Sequence, residues 1–516
     1  MRLSRPPLLR QEGDPRPAGG DRRPHAVVIG SGFGGLAAAI RLSVRGYRVT
    51  VLEKLDAPGG RAYVWRQDGY TFDAGPTIIT APFMLEELWA LCGRRLADDV
   101  RLVPMEPFFY RIRFDDGTHF DYSGDGEAMR REVARFSAPD VAGFEAFLRE
   151  ADVCYRLGFE KLGAISYNTV GDLLAAVPDL ARMRGWRSIH AMVAHYIRDE
   201  KLRVVFSFHP LLIGGNPFSV TCVYSLINVL ERRYGVHWPM GGTGALVRGM
   251  VALLAARGVP VRCHAAVKRI TVENRRATGV ELADGERIAA DIVVSNADVA
   301  WTYRNLVEPQ HRRHWTDARI DRSKFSMSLF VWYFGTRRQF PDVPHHMIHL
   351  GPRYRELLDD IFHRHVLADD FSLYLHRPTA TDPGMAPPGC DAFYVLAPVP
   401  HLDSGTDWAA TAEGYRRKIA ARLEATVLPG FEREIVTSRV TTPQDFRDRL
   451  LAWKGAAFGF EPILLQSAYF RPHNRSEDLE HLYMVGASTH PGAGVPGVLM
   501  SAKALESVVP DAAAFA

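Results

Sequence analysis

Residues 25–54, HAVVIGSGFGGLAAAIRLSVRGYRVTVLEK, constrain this chain more than any other stretch. His25–Ile29 is a short apolar run of the kind a strand buried on both faces shows. Gly30-Ser-Gly32-Phe-Gly34-Gly35 follows it. Leu36–Arg45, rich in Ala and Leu, then reads as a helix that Gly46 ends. Tyr47–Leu52 is the next strand, and Glu53 closes it 18 residues after Gly35. Each piece meets a need of a bound dinucleotide. Gly30 permits the tight turn, Gly32 lets backbone approach a pyrophosphate, and Gly35 lets the helix pack closely on the strand. The helix start presents unpaired N–H groups and a positive dipole end to phosphates, which places Ser31, Phe33 and Gly34 at the anion. Glu53 is expected to accept bonds from a ribose hydroxyl pair, with Lys54 in the same site.

NAD and FAD share this pattern, and two later segments choose between them. Gly59-Gly60-Arg61 lies just past the ribose acid. An extended FAD is wrapped by such a segment, with Arg61 facing phosphate. Near the other end, the strand-like Leu482–Val485 leads into GASTHPGAGVPG (486–497) and a helix expected over Val498–Val508. That second cradle suits an isoalloxazine ring, whose reduced anion is stabilised by N–H groups near N1 and O2. The cofactor expected is FAD, and the two ends of the chain are expected to fold into one domain.

The chain has 516 residues, 47% of them hydrophobic, enough for more than one globular unit. A net charge of +4 is spread without a basic stripe, so nucleic acid is excluded as a partner. The five cysteines have no Cys-x-x-Cys spacing, which predicts neither a zinc site nor a disulfide framework. No apolar run reaches the roughly 18 residues of a membrane span. Residues 1–24, rich in Pro, Gly and Arg, lack the apolar stretch of a signal peptide and are expected to form a mobile basic tail.

The fold class expected is α/β: a Rossmann-type FAD-binding domain (GR2-like flavoprotein) with an inserted α+β substrate domain and a helical membrane-associating region. The FAD domain is expected in three pieces, residues 25–80, 238–304 and 451–516. Residues 62–80 read as a β-hairpin ending in Asp73-Ala-Gly-Pro76-Thr77. A mostly helical substrate and membrane-associating region is expected over 81–237. Trp238–Gly244 opens a helix, Ala245–Arg257, followed by strands over Val259–Cys263, Ala266–Glu273, Thr278–Leu282 and Ala289–Ser295. Residues 305–450 are expected to hold the substrate domain. Its strands, Phe325–Phe334, Phe371–Leu375 and Phe393–Ala397, are apolar enough for a sheet dry on both faces, one of which could line a pocket.

With these pieces in view the chain resembles the bacterial-type phytoene desaturases. The resemblance rests on the FAD segments together with FSFHPLLIGGNPF (206–218), WPMGGTGALVRGM (238–250), GPRYRELLDDIF (351–362), ADDFSLYLHRPTATDPGMAPPGC (368–390) and FYVLAPVPHL (393–402). It runs from about residue 25 to 508. It implies an FAD-dependent enzyme that takes phytoene, a C40 polyene, by successive dehydrogenations to neurosporene or lycopene. It further implies a cytoplasmic protein bound peripherally to a lipid bilayer surface, with oxygen or a quinone reoxidising the flavin. By the same resemblance Val267 meets the adenine. Where many flavoproteins follow the last strand with Gly-Asp or Gly-Glu, this chain has Gly486-Ala487, so Gly486 and Val495 are assigned to the ribityl end through their backbone.

Dehydrogenating a hydrocarbon needs a hydride acceptor and a place for a proton. Asp199 and Arg203, read as i and i+4 on one helix face, are the catalytic pair expected at a tunnel wall; His209 is a lesser candidate. His345, His346 and His349 have a spacing that could suggest a metal, but no acid or helical frame supports one, and no metal is expected. A covalent flavin link through His490 is not expected either. The apolar positions of Met183–Ile197, with Trp186 and Arg182, Arg184 and Arg187 at its start, fit an interfacial helix or a buried stripe. Two other functions fit the same scaffold. One is a sister enzyme acting on a derivatised carotenoid, as isomerase, ketolase or hydroxycarotenoid dehydrogenase. The other is a non-enzymatic carrier of prenylated proteins, which would carry a degraded flavin site.

Overall fold

The computed structural model describes residues 22–515, so most of the expected N-terminal tail lies outside it. A five-stranded parallel sheet runs in the order Leu482–Met484, Ile292–Ser295, His25–Ile29, Arg48–Leu52, Val261–Arg262. Strands from both ends and the middle of the chain thus meet side by side. His25–Ile29 is buried on both faces, and its alternation sorts the two sides. Ala26 and Val28 join a core with the helices Phe33–Val44, Thr243–Ala256 and Val495–Leu505. Val27 and Ile29 pack instead against Ile270 and Val280 of a three-stranded antiparallel sheet, Val267–Glu273, Arg276–Leu282 and Arg287–Ala289. The last helix starts at Val495, three residues before the expected Val498, because Pro496 is well placed in a first turn.

The hairpin Val64–Gln67/Tyr70–Asp73 turns through Asp68-Gly69 alone. Both residues have positive φ (52° and 84°), the two-residue turn whose twist suits paired strands.

A seven-stranded sheet forms the second layer, in the order Ile435–Thr441, Ser328–Thr336, Asp391–Val399, Leu373–His376, His346–His349, Tyr110–Arg113, His119–Tyr122. Phe330, Trp332 and Phe334 pack under the helix Trp408–Thr426, while Leu329, Val331 and Tyr333 face the opposite way. Two strands of this sheet come from residues 110–122, inside the stretch read from sequence as mostly helical. They are only four residues long and alternate polar with apolar, too short for periodicity to separate from loop.

The helices Gly126–Ser137, Val141–Cys154, Val170–Arg182, Ile189–Tyr196, Glu200–Ser207 and Leu226–Tyr234 form the remaining layer. The expected continuous helix over 183–197 is not there. Arg184 adopts φ 49°, and the chain turns before a new helix begins at Ile189, capped by Ser188. Met183, Ile189, Met192, Val193 and Ile197 are buried, whereas Trp186 of the same stretch is 67% exposed. None of the helices among the described residues is long and apolar enough to cross a membrane.

Candidate active site

One cavity of about 530 Å³ runs between these layers. One end is glycine-rich, the other apolar. Of the thirteen residues expected to bind the cofactor, twelve line it: Gly30, Ser31, Gly32, Phe33, Gly34, Glu53, Lys54, Gly60, Arg61, Val267, Gly486 and Val495. Gly35 does not, and its role is packing: a Cβ there would stand 2.1 Å from the Gly30 carbonyl oxygen.

The glycine-rich end suits an anion held by backbone. The helices Phe33–Val44 and Val495–Leu505 begin at Gly32 and Gly494 with no side-chain cap and no acid in the first turn. Their first N–H groups are left for a ligand. Side chains here would fill the cradle: a Cβ on Gly34 would come to 3.1 Å from the Gly486 Cα, and one on Gly32 to 3.0 Å from the Asn296 amide nitrogen. Glu53 is buried. Its Oε2 accepts from the Ser31 N–H (2.9 Å) and Oγ–H (2.5 Å), and its Oε1 from the Leu55 N–H (2.9 Å). The acid thereby ties the second strand's end to the glycine turn. Lys54 donates to the Asp448 carbonyl at 2.6 Å, closing the rim. Arg61 is held by the Ala457 carbonyl (2.6 Å); burial lowers its pKa and the Asp298 charge opposes that. These residues fit an FAD: backbone for the pyrophosphate, Glu53 for the ribose, Arg61 for charge balance.

Several members of the site lie in segments where sequence gave them no role. Asn296 follows the strand Ile292–Ser295 and stands between Gly32, Gly34 and Gly486. Asp298 caps the next helical turn through the Trp301 N–H and accepts from Ser488 Oγ at 2.7 Å, joining the middle of the chain to the C-terminal cradle. Arg471, 1% exposed, braces that cradle by donating to the carbonyls of Thr489 and Ala487. An Asp three residues before a helical N–H is a readable cap signal; the others carry no local signature.

Asp73, at the hairpin's end, accepts from the Thr243 and Gly244 N–H groups and anchors the helix Thr243–Ala256. Burial lifts its carboxyl to about 6, against the lowering effect of those N–H bonds.

The apolar end is walled by the seven-stranded sheet (Leu329, Val331, Tyr374, Tyr394) and by helices (Leu180, Leu230). Thr77 Oγ1 lies 2.9 Å from the Tyr374 hydroxyl and 3.0 Å from that of Tyr394, which holds the polar atoms of this wall in mutual bonds.

The expected Asp199–Arg203 pair does not form. Asp199 is the N-cap of the helix Glu200–Ser207, its carboxylate accepting from the Leu202 N–H at 2.9 Å. Arg203 donates to the Ile197 carbonyl and pairs with Glu200. Asp199 lies in a surface depression with Arg135 and Lys201, and neither residue lines the cavity. The two residues stand one turn apart, the Arg203 N–H donating to the Asp199 carbonyl at 3.0 Å, but capping and Glu200 have already engaged their side chains. His209 is fully buried, its Nε2 3.0 Å from the Tyr110 hydroxyl. His345 and His346 gather with His376, within 4.8 Å of one another, and not with His349, which lies 3.2 Å from Arg113. Burial depresses His346 to about 3 and takes His345 and His376 well below the ordinary histidine value.

The family model described as flavin containing amine oxidoreductase matches residues 33–504. The neurosporene-forming phytoene desaturase of Cereibacter sphaeroides is 49% identical over 492 residues, covering 94% of this chain and 95% of that protein. The lycopene-forming phytoene desaturase of Pseudescherichia vulneris is also 49% identical, with 94% and 98% covered. Among solved structures, an oxidoreductase from Methanosarcina mazei superposes with a TM-score of 0.63 at 18% identity, over 94% of this chain and 100% of that one. Putrescine oxidase bound to putrescine gives 0.63 at 14% identity, over 94% and 99%. These two share the fold. The chain therefore belongs to the flavin containing amine oxidoreductases and, within them, to the bacterial phytoene desaturases.

Proposed function

We propose that this chain is an FAD-dependent desaturase that converts phytoene to neurosporene or lycopene. The observation that carries this reading is the single cavity joining a complete dinucleotide cradle to a chamber walled by hydrocarbon side chains. Gly30–Gly34, Glu53, Gly60–Arg61, Val267, Gly486 and Val495 hold the FAD, which when bound supplies a two-electron hydride acceptor. The apolar chamber holds the polyene by burial alone, since a hydrocarbon offers nothing to hydrogen-bond. Its dryness keeps water from the allylic cation left when hydride departs. The intact cradle speaks against a prenyl-protein carrier. Oxygen or a quinone then takes the electrons.

The test is reconstitution of the purified protein with FAD and phytoene-loaded liposomes, reading the absorbance of extracted pigment. Phytoene is expected to disappear as coloured products form. Phytoene recovered unchanged, with hydroxylated carotenoids converted instead, would move the assignment to the sister activity.

The substrate dissolves only in lipid, and one rim of the cavity supports a bilayer-docking role. On the helix Val170–Arg182, Leu173 and Leu180 line the cavity while Val170, Leu174 and Val177 point outward, 59%, 65% and 47% exposed. Across the mouth, Leu464 and Phe470 line the cavity beside Leu465, 70% exposed. Arg182 and Lys161 lie at the edge of this patch with exposed side chains. An apolar patch around an oily mouth, with these two side chains at its edge and both paired to Asp179, suits a lipid surface. Leu174→Asp with Leu465→Asp is expected to lower partitioning onto liposomes by more than about tenfold, from roughly 1.5–3 kcal/mol per buried leucine. FAD content should not change. Flotation equal to wild type would remove this face from the membrane.

A further inference from the structure

Hydride loss leaves a proton to be removed inside an apolar chamber. Three carboxylates line the cavity among the described residues: Glu53, Asp298 and Glu231. The first two are committed to the dinucleotide end, with Ser31, Leu55, Trp301 and Ser488 as partners. Glu231 is different. It stands on the helix Leu226–Tyr234 beside Ile227 and Leu230, which line the same wall, and it is 1% exposed. Its Oε2 accepts the Tyr110 hydroxyl at 2.8 Å and lies 3.4 Å from His209 Nε2. Its Oε1 has no hydrogen-bond partner among the described residues. A buried carboxylate oxygen left without a donor is costly, and an apolar side chain would pack this wall more cheaply; such groups concentrate where chemistry needs them.

Resting on the desaturase reading, we propose that Glu231 is the proton acceptor of the reaction, with Tyr110 and His209 as its positioning residues. In each cycle one C–H bond of the polyene breaks with its electron pair leaving as hydride to oxidised FAD. The C–H bond on the adjacent carbon then gives its proton to Glu231 Oε1, and its electron pair becomes the new double bond. The substrate loses two hydrogens and the flavin gains two electrons. Tyr110 remains a donor throughout, because burial and then the Glu231 charge raise its phenol well above the ordinary value. The remaining ionisable groups around this helix are engaged elsewhere. Tyr122 donates to Asn228, Arg232 to the Ser123 carbonyl, and Arg233 pairs with Asp152 and Glu160.

Glu231→Gln preserves shape and the bond from Tyr110. In the holoenzyme it should retain FAD with a wild-type visible spectrum. Anaerobic bleaching of the flavin by phytoene should slow by about 10²–10⁴-fold, the usual worth of a positioned base. Glu231→Asp should recover part of that rate. Tyr110→Phe should lower kcat while leaving KM for phytoene unchanged, a split that loss of packing alone would not give. A readout independent of turnover is labelling by dicyclohexylcarbodiimide, an apolar carboxyl reagent, at pH 6. The adduct should fall on Glu231, be blocked by phytoene and be absent from Glu231→Gln. A wild-type protein that bleaches beside an equally fast Glu231→Gln sinks the proposal alone. A Glu231→Gln protein that cannot hold FAD also overturns it, assigning the residue to the fold. A wild-type holoenzyme that phytoene never bleaches sinks the desaturase reading and this proposal together.

Discussion

Gly35→Ala is expected to yield a protein that purifies without flavin colour and does not take up FAD on reconstitution. The added methyl would meet the Gly30 carbonyl oxygen at 2.1 Å and Asn296 Cβ at 3.1 Å. The first of these is backbone of the very turn that faces the pyrophosphate, so no rotamer change relieves it. The helix Phe33–Val44 must move off the strand His25–Ile29, and its uncapped N–H groups move with it. Overpacking of this kind costs about 1–3 kcal/mol in stability. Because those N–H groups are aimed by the same contact, FAD affinity should fall by at least about 100-fold, or about 2.8 kcal/mol. Gly32→Ala is the informative companion. Its methyl would meet the Asn296 amide nitrogen at 3.0 Å and lie in ordinary contact with the Gly59 carbonyl oxygen at 4.0 Å, so the fold should survive while the methyl stands in the ligand's path. Expected, then, are a destabilised colourless Gly35→Ala and a stable, weakly binding Gly32→Ala. A Gly35→Ala protein as yellow as wild type would mean that this helix start does not hold the dinucleotide.

What was legible in the sequence follows from the range of the interactions involved. The strand–turn–helix–strand of residues 25–53 is local, and glycine spacing encodes it directly. The cradle at 486–497 was legible for the same reason. Contacts between distant segments were not. Asn296 reaches Gly34 and Gly486, and Tyr110 bonds Glu231 121 residues away, and neither pairing is marked in the local sequence. Glu231 did leave a trace: it falls on the apolar face of its helix with Ile227 and Leu230, where a carboxylate is out of place. Asp199 shows the opposite error. An aspartate directly before a helix is first a cap candidate, and its carboxylate is spent on the Leu202 N–H and not on Arg203. Periodicity likewise found an apolar stripe at 183–197 but could not say what covers it. Protein covers Met183, Ile189, Met192, Val193 and Ile197 but leaves Trp186 exposed, and the preceding helix, Val170–Arg182, also keeps an apolar face in water.

Acidification should destabilise this protein steeply below pH 6.5, through histidines that the fold keeps neutral. Burial depresses His346 and His490 to about 3, with the Arg471 charge adding to the effect on His490. Burial also takes His345 and His376 well below the ordinary value, with the neighbouring His346 adding to it. In the unfolded chain each takes up a proton near pH 6.5, and in the folded protein none does until far lower. The unfolded state therefore binds more protons in this window, so the stability these groups contribute is present above pH 6.5 and is lost as pH falls toward 3. Between pH 7 and 5.5 each loses about 1.3 kcal/mol, so the four together lose about 5 kcal/mol. Asp73 opposes them. Its raised carboxyl favours the folded state as it protonates toward pH 5.5, but by under about 1 kcal/mol over the same interval. His349 and His401, which burial holds at about 4, add to the loss, while the raised carboxyls of Asp298 and Glu461 oppose it with Asp73. Thermal melts followed by flavin release and near-ultraviolet circular dichroism should show a midpoint falling steadily from pH 7.5 to 5.5, with net proton uptake on unfolding. His346→Asn should reduce that uptake by about one proton while lowering the midpoint at pH 7.5. A midpoint flat across this range would mean that the cluster of His345, His346 and His376 is either open to water or already charged, and that its burial against Trp238 does not hold in solution.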